Sequence, residues 1–149
     1  MIHDQYFVLE PEVAGELGEG SVLDHSTRPV TVVKLEYHFM GWLGDDLLTT
    51  HPCFIVTHRL MEALQAFAGT GYSFDYLKVS KDEQFDEMHP GISLPQFAWM
   101  KTPGIAGADD VGLRPNGGSL VVSHRLLSLL RQFKIDNCLV RKKPYRVKP

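Results

Sequence analysis

The spacing of apolar positions switches from strand-like to helical twice in this chain, in the same way each time. Phe54-Ile55-Val56 is a short apolar run containing two β-branched residues, the pattern of a buried strand. Thr57 follows, and Leu60, Met61, Leu64 and Phe67 then recur at helical spacing. The same order returns at Leu120-Val121-Val122, Ser123, and then Leu126, Leu127, Leu130 and Phe133. Aligned without gaps, the segments share Val56/Val122, His58/His124, Arg59/Arg125, Leu60/Leu126, Leu64/Leu130 and Phe67/Phe133. Thr57 against Ser123 keeps a hydroxyl where a helix N-cap must accept from the free amides of the first turn. A second strand is expected after each helix, over 72–79 and 137–141, and Gly69 and Gly71 are expected to end the first helix. The chain therefore reads as α+β, a mixed and mainly antiparallel sheet packed with a few helices. It contains a duplicated strand–cap–helix–strand unit at about 54–79 and 120–141.

Outside the repeat, residues 6–9 and 30–37 read as strands, 15–20 as loop, and 40–48 as a turn-rich or short helical stretch. Residues 80–119 carry Pro90, Pro95, Pro103 and Pro115 and read as a long irregular connection, with Phe97, Trp99 and Met100 anchoring its middle on the core. A length of 149 residues suits a single domain spanning 1–149. The apolar runs are too short to cross a bilayer, so no membrane is expected. The first residues have neither a basic start nor an apolar signal core, which predicts no secretion. Cys53 and Cys138 both sit among apolar neighbours and read as buried free thiols.

Charge changes this picture at the two ends. The net charge is −3, yet residues 1–27 hold six acids and no Lys or Arg, while 141–149 form a basic tail containing Arg141, Lys142, Lys143, Arg146 and Lys148. The His-Arg pairs at 58–59 and 124–125 fall in the first helical turn. A cation there opposes the helix dipole, so a partner carboxylate is one expectation and a duplicated anion site another.

Candidate chemistry is sparse. No glycine-rich phosphate loop and no Cys-x-x-Cys or His-Glu-x-x-His spacing occurs. The seven histidines, at 3, 25, 38, 51, 58, 89 and 124, are scattered. The hydroxyls of Thr57 and Ser123 lie beside histidines but are committed to capping. No catalytic residue, metal or cofactor is therefore expected, and a pI near 6.1 with no recognition motif predicts no nucleic-acid partner. Asp82, Glu83, Asp86 and Glu87 would share one face if a helix formed there. An enzyme whose residues converge only in the fold, and a regulatory or scaffold protein, both stay open.

The segment Val56-Thr57-His58-Arg59-Leu60 with Leu64, and the segment Leu120-Val121-Val122-Ser123-His124-Arg125 with Leu130, resemble paired segments of small immunity proteins from bacterial polymorphic-toxin systems. Tyr72-Ser73-Phe74-Asp75-Tyr76-Leu77 resembles the strand following the first of these. The likeness covers about 54–79 and 119–141, roughly a third of the chain. It implies a cytoplasmic protein without activity of its own, which binds a cognate toxin or effector and covers its active site or blocks its assembly. Since many such toxins have basic clefts, the resemblance points to acidic and aromatic contact residues: Trp42, Asp45 and Asp46, then Asp82, Glu83, Asp86 and Glu87, with Trp99 as a further anchor.

Overall fold

The computed structural model describes residues 5–115, 118–141 and 145. In chain order the strands before the first helix are β1 (Tyr6–Glu10), β2 (Glu12–Val13), β3 (Gly15–Leu17), β4 (Val22–Asp24), β5 (Thr31–Lys34), β6 (Glu36–Phe39), β7 (Leu47–Thr50) and β8 (Cys53–Thr57). Helix α1 (His58–Phe67) is followed by β9 (Ser73–Asp75), β10 (Lys78–Lys81), the short α2 (Phe85–Met88), β11 (Phe97–Lys101), β12 (Val111–Leu113) and β13 (Leu120–Ser123). Helix α3 (His124–Leu130) and β14 (Leu139–Val140) complete the described chain. The fold is α+β, with mostly antiparallel sheets and three helices among the described residues.

The repeat is real in space. The first unit has the strand order β7-β8-β11-β9 and the second β12-β13-β1-β14, with α1 and α3 leaving β8 and β13. Each helix starts from an N-cap hydroxyl, Thr57 accepting from Leu60 N–H at 3.4 Å and Ser123 from Leu126 N–H at 3.2 Å. The next amide is also held alike: His58 N–H donates to Gln96 O and His124 N–H to Gln5 O, both at 3.0 Å. The third strand in each order nevertheless comes from a different place in the chain. In the first unit it is β11, later in the chain; in the second it is β1, from the start. One core gathers Leu60 and Leu64 of α1, Leu126, Leu127 and Leu130 of α3, and one face of each sheet.

The first unit carries additions that the second lacks. Strand β2 extends its sheet, and β10-β6-β3 form a separate sheet beside it. Between them lies a second core of Tyr37, Phe39, Leu48, Ile55, Phe85, Phe97 and Trp99. Every residue of β8 is buried, because Phe54 and Val56 enter the first core while Cys53 and Ile55 enter the second. A strand buried on both faces reads as an unbroken apolar run.

Several expectations need correction. Residues 80–119 are not an irregular connection: they hold the end of β10, α2, β11 and β12, and β11 is an inner strand paired to β8 and β9. The stretch 40–48 runs into β7 without a helix, and 15–17 is strand rather than loop. The expected single strands 30–37 and 72–79 are each broken in two. Helix α1 ends on Ala68, not a glycine, in the left-handed region at φ 54. Gly71, at φ 91, is where glycine is needed: a Cβ would collide with the Val111 carbonyl. The basic tail expected over 141–149 lies, apart from Arg141 and Tyr145, outside the described residues. Both cysteines are free. No described helix is long and apolar enough to cross a membrane.

Candidate functional site

The shared His-Arg pair resolves into two matching carboxylate clamps. Asp46 immediately precedes β7, and Asp110 immediately precedes β12. Asp46 Oδ1 accepts from Thr57 Oγ1 at 2.5 Å and Arg59 Nε at 2.8 Å, and its Oδ2 from Arg59 Nη2 at 2.6 Å. Asp110 repeats this, accepting from Ser123 Oγ at 2.7 Å, Arg125 Nε at 2.9 Å and Arg125 Nη2 at 2.6 Å. The arginine thus meets its carboxylate in the two-pronged geometry that a guanidinium favours. Burial pushes both carboxyls up, but the arginine, the cap hydroxyl and a backbone amide outweigh it and hold both below the ordinary aspartate value. Each clamp also borrows an aromatic from the other unit. Arg59 lies 5.4 Å from the Phe133 ring centroid and Arg125 4.5 Å from that of Phe67. Arg59 and Arg125 are thus each paired to an internal carboxylate, which favours the partner-carboxylate expectation over the anion site.

The contact residues expected from sequence separate into two groups. Asp45 and Asp46 are 0% and 1% exposed, and Trp99 is 6% exposed. None of the three offers a contact surface. Asp45 accepts from the Asn137 backbone and side-chain amides at 2.8 and 3.1 Å, and Trp99 packs in the second core beneath Lys101. Trp42 is half-buried, its indole N–H given to Asp45 O at 2.9 Å and its ring set edge-on to Phe97. Asp82, Glu83, Asp86 and Glu87 do cluster at the β10–α2 junction, but α2 spans only Phe85–Met88, so they do not share a helical face. Glu83, Asp86 and Glu87 are exposed, Asp86 meets Lys81 at 2.9 Å, and Asp82 lies 3.6 Å from His38.

Two concavities flank β10, and sequence reading missed both. On its outer side, a cleft of about 730 Å³ is lined by Glu16, Glu36, His38, Lys78, Ser80 and Glu83, among others. There Ser80 Oγ sits 2.8 Å from His38 Nδ1 and donates to Glu36 Oε2 at 2.7 Å. The Ser80 hydrogen bond, aided by Lys78, holds the Glu36 carboxyl below its ordinary value. Parallel pairing of Glu36 with Lys78 and of His38 with Ser80 creates this cluster, and residues more than forty apart in sequence give no local signal of it. On the other side lies an open groove of about 910 Å³, bounded by His58 and Met61 of α1, by Tyr76 and Val79, and by Ile92 and Phe97. Tyr76 is 79% exposed, Val79 40% and Ile92 37%. Tyr76 lies inside the stretch 72–79 that reads as one strand, so its exposure gives no local signal.

A smaller hollow of about 350 Å³ holds Glu12 beside Trp42 and Met40. Glu12 Oε2 accepts from Leu43 N–H at 2.8 Å, its Oε1 is buried without a partner, and burial raises its carboxyl above the ordinary value. Among the described residues no group of three or more His, Cys, Asp or Glu is placed to hold a metal. No family model matches this chain, and no curated protein matches it.

Proposed function

We propose that this chain is a protein-binding module that works in the cytoplasm, and that its partner is a toxin or effector which it neutralises. The observation that carries the binding reading is the exposed apolar rim of the groove. Tyr76, Val79 and Ile92 stand together around an open concavity. Contiguous exposed apolar surface of this kind marks sites where another molecule excludes water. The acids of the β10–α2 junction follow Lys81 of its lining in the chain and would speed the approach of a basic partner. The toxin class comes from the resemblance of the two cap–helix segments to immunity proteins.

The test is recovery of one stoichiometric partner by the tagged full chain from native lysate under a high-salt wash. That partner should arrest growth when expressed alone and lose this effect when the chain is co-expressed. Background proteins alone, under conditions where toxin genes are expressed, would overturn the reading.

One observation favours a hydrolytic alternative: the Ser80 hydroxyl held between Glu36 and His38 in the outer cleft. A fluorophosphonate probe decides it. Labelling that disappears in Ser80→Ala and falls in Glu36→Gln would support a nucleophile, and an unlabelled protein removes it.

A further inference from the structure

The two units let the groove be compared with its own internal counterpart. In the first unit β9 pairs with β11 only at Trp99, Met100 and Lys101; the chain then turns at Tyr76-Leu77 and leaves to form β10. Gln96 O accepts from His58 N–H on the β8 side. By the alternation of an antiparallel strand, the main-chain groups of Phe97 therefore face the groove. Across the groove, Lys78 N–H bonds Leu35 O and Asp82 N–H bonds Phe39 O, so the Val79 and Lys81 main-chain groups turn away from β6. Strand β10 is an edge of its sheet. The groove thus runs between the edge strand β10 and the end of β11 that β9 does not reach, each presenting ladder positions to it.

In the second unit the position matching Phe97 is Tyr6, which follows Gln5 as Phe97 follows Gln96. That position is covered: Tyr6 pairs with Tyr145 of the C-terminal segment, whose backbone N–H bonds Tyr6 O. Tyr145 stands in the sequence Arg141-Lys142-Lys143-Pro144-Tyr145-Arg146, an aromatic residue with basic sequence neighbours. The groove lining carries Asp75, and Glu83, Asp86 and Glu87 follow its Lys81 in the chain.

We infer that the groove receives an extended segment of the partner, aromatic or aliphatic with basic flanks, which pairs with the main chain of Phe97 on one side and of Val79 and Lys81 on the other. The inference rests on the reading of the chain as a protein-binding module and names the segment that such a partner must supply. Main-chain pairing gives affinity in this mode, and pockets for alternate side chains give selectivity. Tyr76 and Ile92 wall the pocket for the aromatic residue.

The experiment is selection from a random nonapeptide phage library on the full-length chain, followed by affinity measurement with the enriched peptides as synthetic probes. Expected are peptides with an aromatic or branched aliphatic residue flanked by Lys or Arg, weakened at least tenfold by Val79→Pro and by Tyr76→Asp. Val79→Pro removes an amide that faces away from β6, so it leaves the β6–β10 ladder bonded. Should that variant fail to fold, Tyr76→Asp, at an exposed turn, decides alone. No enrichment, or peptides that bind the variants as well as the parent chain, overturns the inference. So does a chain that self-associates and becomes monomeric in both variants, because the occupant is then a second copy. A captured toxin that stays bound to both variants sinks the strand-docking mode and leaves the toxin reading standing. Enriched peptides without any growth-arresting partner do the reverse.

Discussion

The two carboxylate clamps make the same bonds from the same residue types, yet each completes its last oxygen differently. At Asp46 the extra donor is the backbone amide of Lys134, which directly follows Phe133, at 2.8 Å. At Asp110 it is the backbone amide of Thr70, three residues beyond Phe67, at 3.0 Å. The offset follows from the helices. Helix α1 runs ten residues to a left-handed cap at Ala68, whereas α3 runs seven before its Arg131 cap. Each unit therefore holds its own helix start with the tail of the other unit's helix segment. The inter-unit contact is what the duplication keeps; the local route to it is free to vary. A carboxylate that joins the cap hydroxyl, the arginine fork and a distant amide ties together the helix start, the strand before it and the opposite unit.

Removing either carboxylate should give the largest effect on this comparison. Asp46→Ala leaves the Thr57 hydroxyl and the Lys134 amide without their acceptor, and Asp110→Ala does the same to Ser123 and Thr70. Each should lower unfolding free energy by about 3 kcal/mol, the scale for orphaning several buried donors at once. The two losses should agree closely in urea unfolding at neutral pH. A loss at one site only would show that the clamps are not equivalent supports.

Acid gives a second test. Both carboxyls titrate below their ordinary value in the folded chain. Their contribution is therefore present above the unfolded aspartate value of about 3.9 and lost as pH falls through the folded values. Unfolding stability should drop between neutral pH and pH 3 in the parent chain, and drop less in Asp46→Asn and in Asp110→Asn. Parallel pH profiles for parent and variants would place the acid sensitivity elsewhere.

How much of this was legible in the sequence follows from the range of each interaction. The cap–helix units were readable because a hydroxyl, an apolar stripe and a preceding β-branched run are local patterns. The arginine's oddity in a first turn was readable too, and with it the expectation of a partner carboxylate, but not which residue supplies it. Asp46 and Asp110 lie outside the matched segments, and Asp45-Asp46 read as acidic contact residues for a partner. A carboxylate held in a core needs partners to offset its lost hydration, and sequence does not show which residues supply them. Strand β11 was missed because Pro95 and Pro103 frame it and its apolar run is short, while burial on an inner strand overrides the composition around it. The Ser80–His38–Glu36 cluster depends on a parallel pairing between β6 and β10, which no spacing announces.

The finest difference between the clamps is the crossed aromatic contact, closer in one unit than in the other. Arg125 stands 4.5 Å from the Phe67 centroid and Arg59 5.4 Å from that of Phe133. Attraction between a cation and a ring face weakens with separation, so the Phe67 ring should matter more than the Phe133 ring. Leucine at either position keeps most of the apolar contact and removes the ring face. Phe67→Leu should therefore lower Tm more than Phe133→Leu, by roughly 2 °C for a chain of this size. Repeating both substitutions in an Arg125→Met background isolates the cation. There the excess cost of Phe67→Leu should vanish while that of Phe133→Leu stays as it was. If the excess persists without the guanidinium, the ring acts through packing alone. The two units would then share their hydrogen bonds but not their crossed aromatic contact.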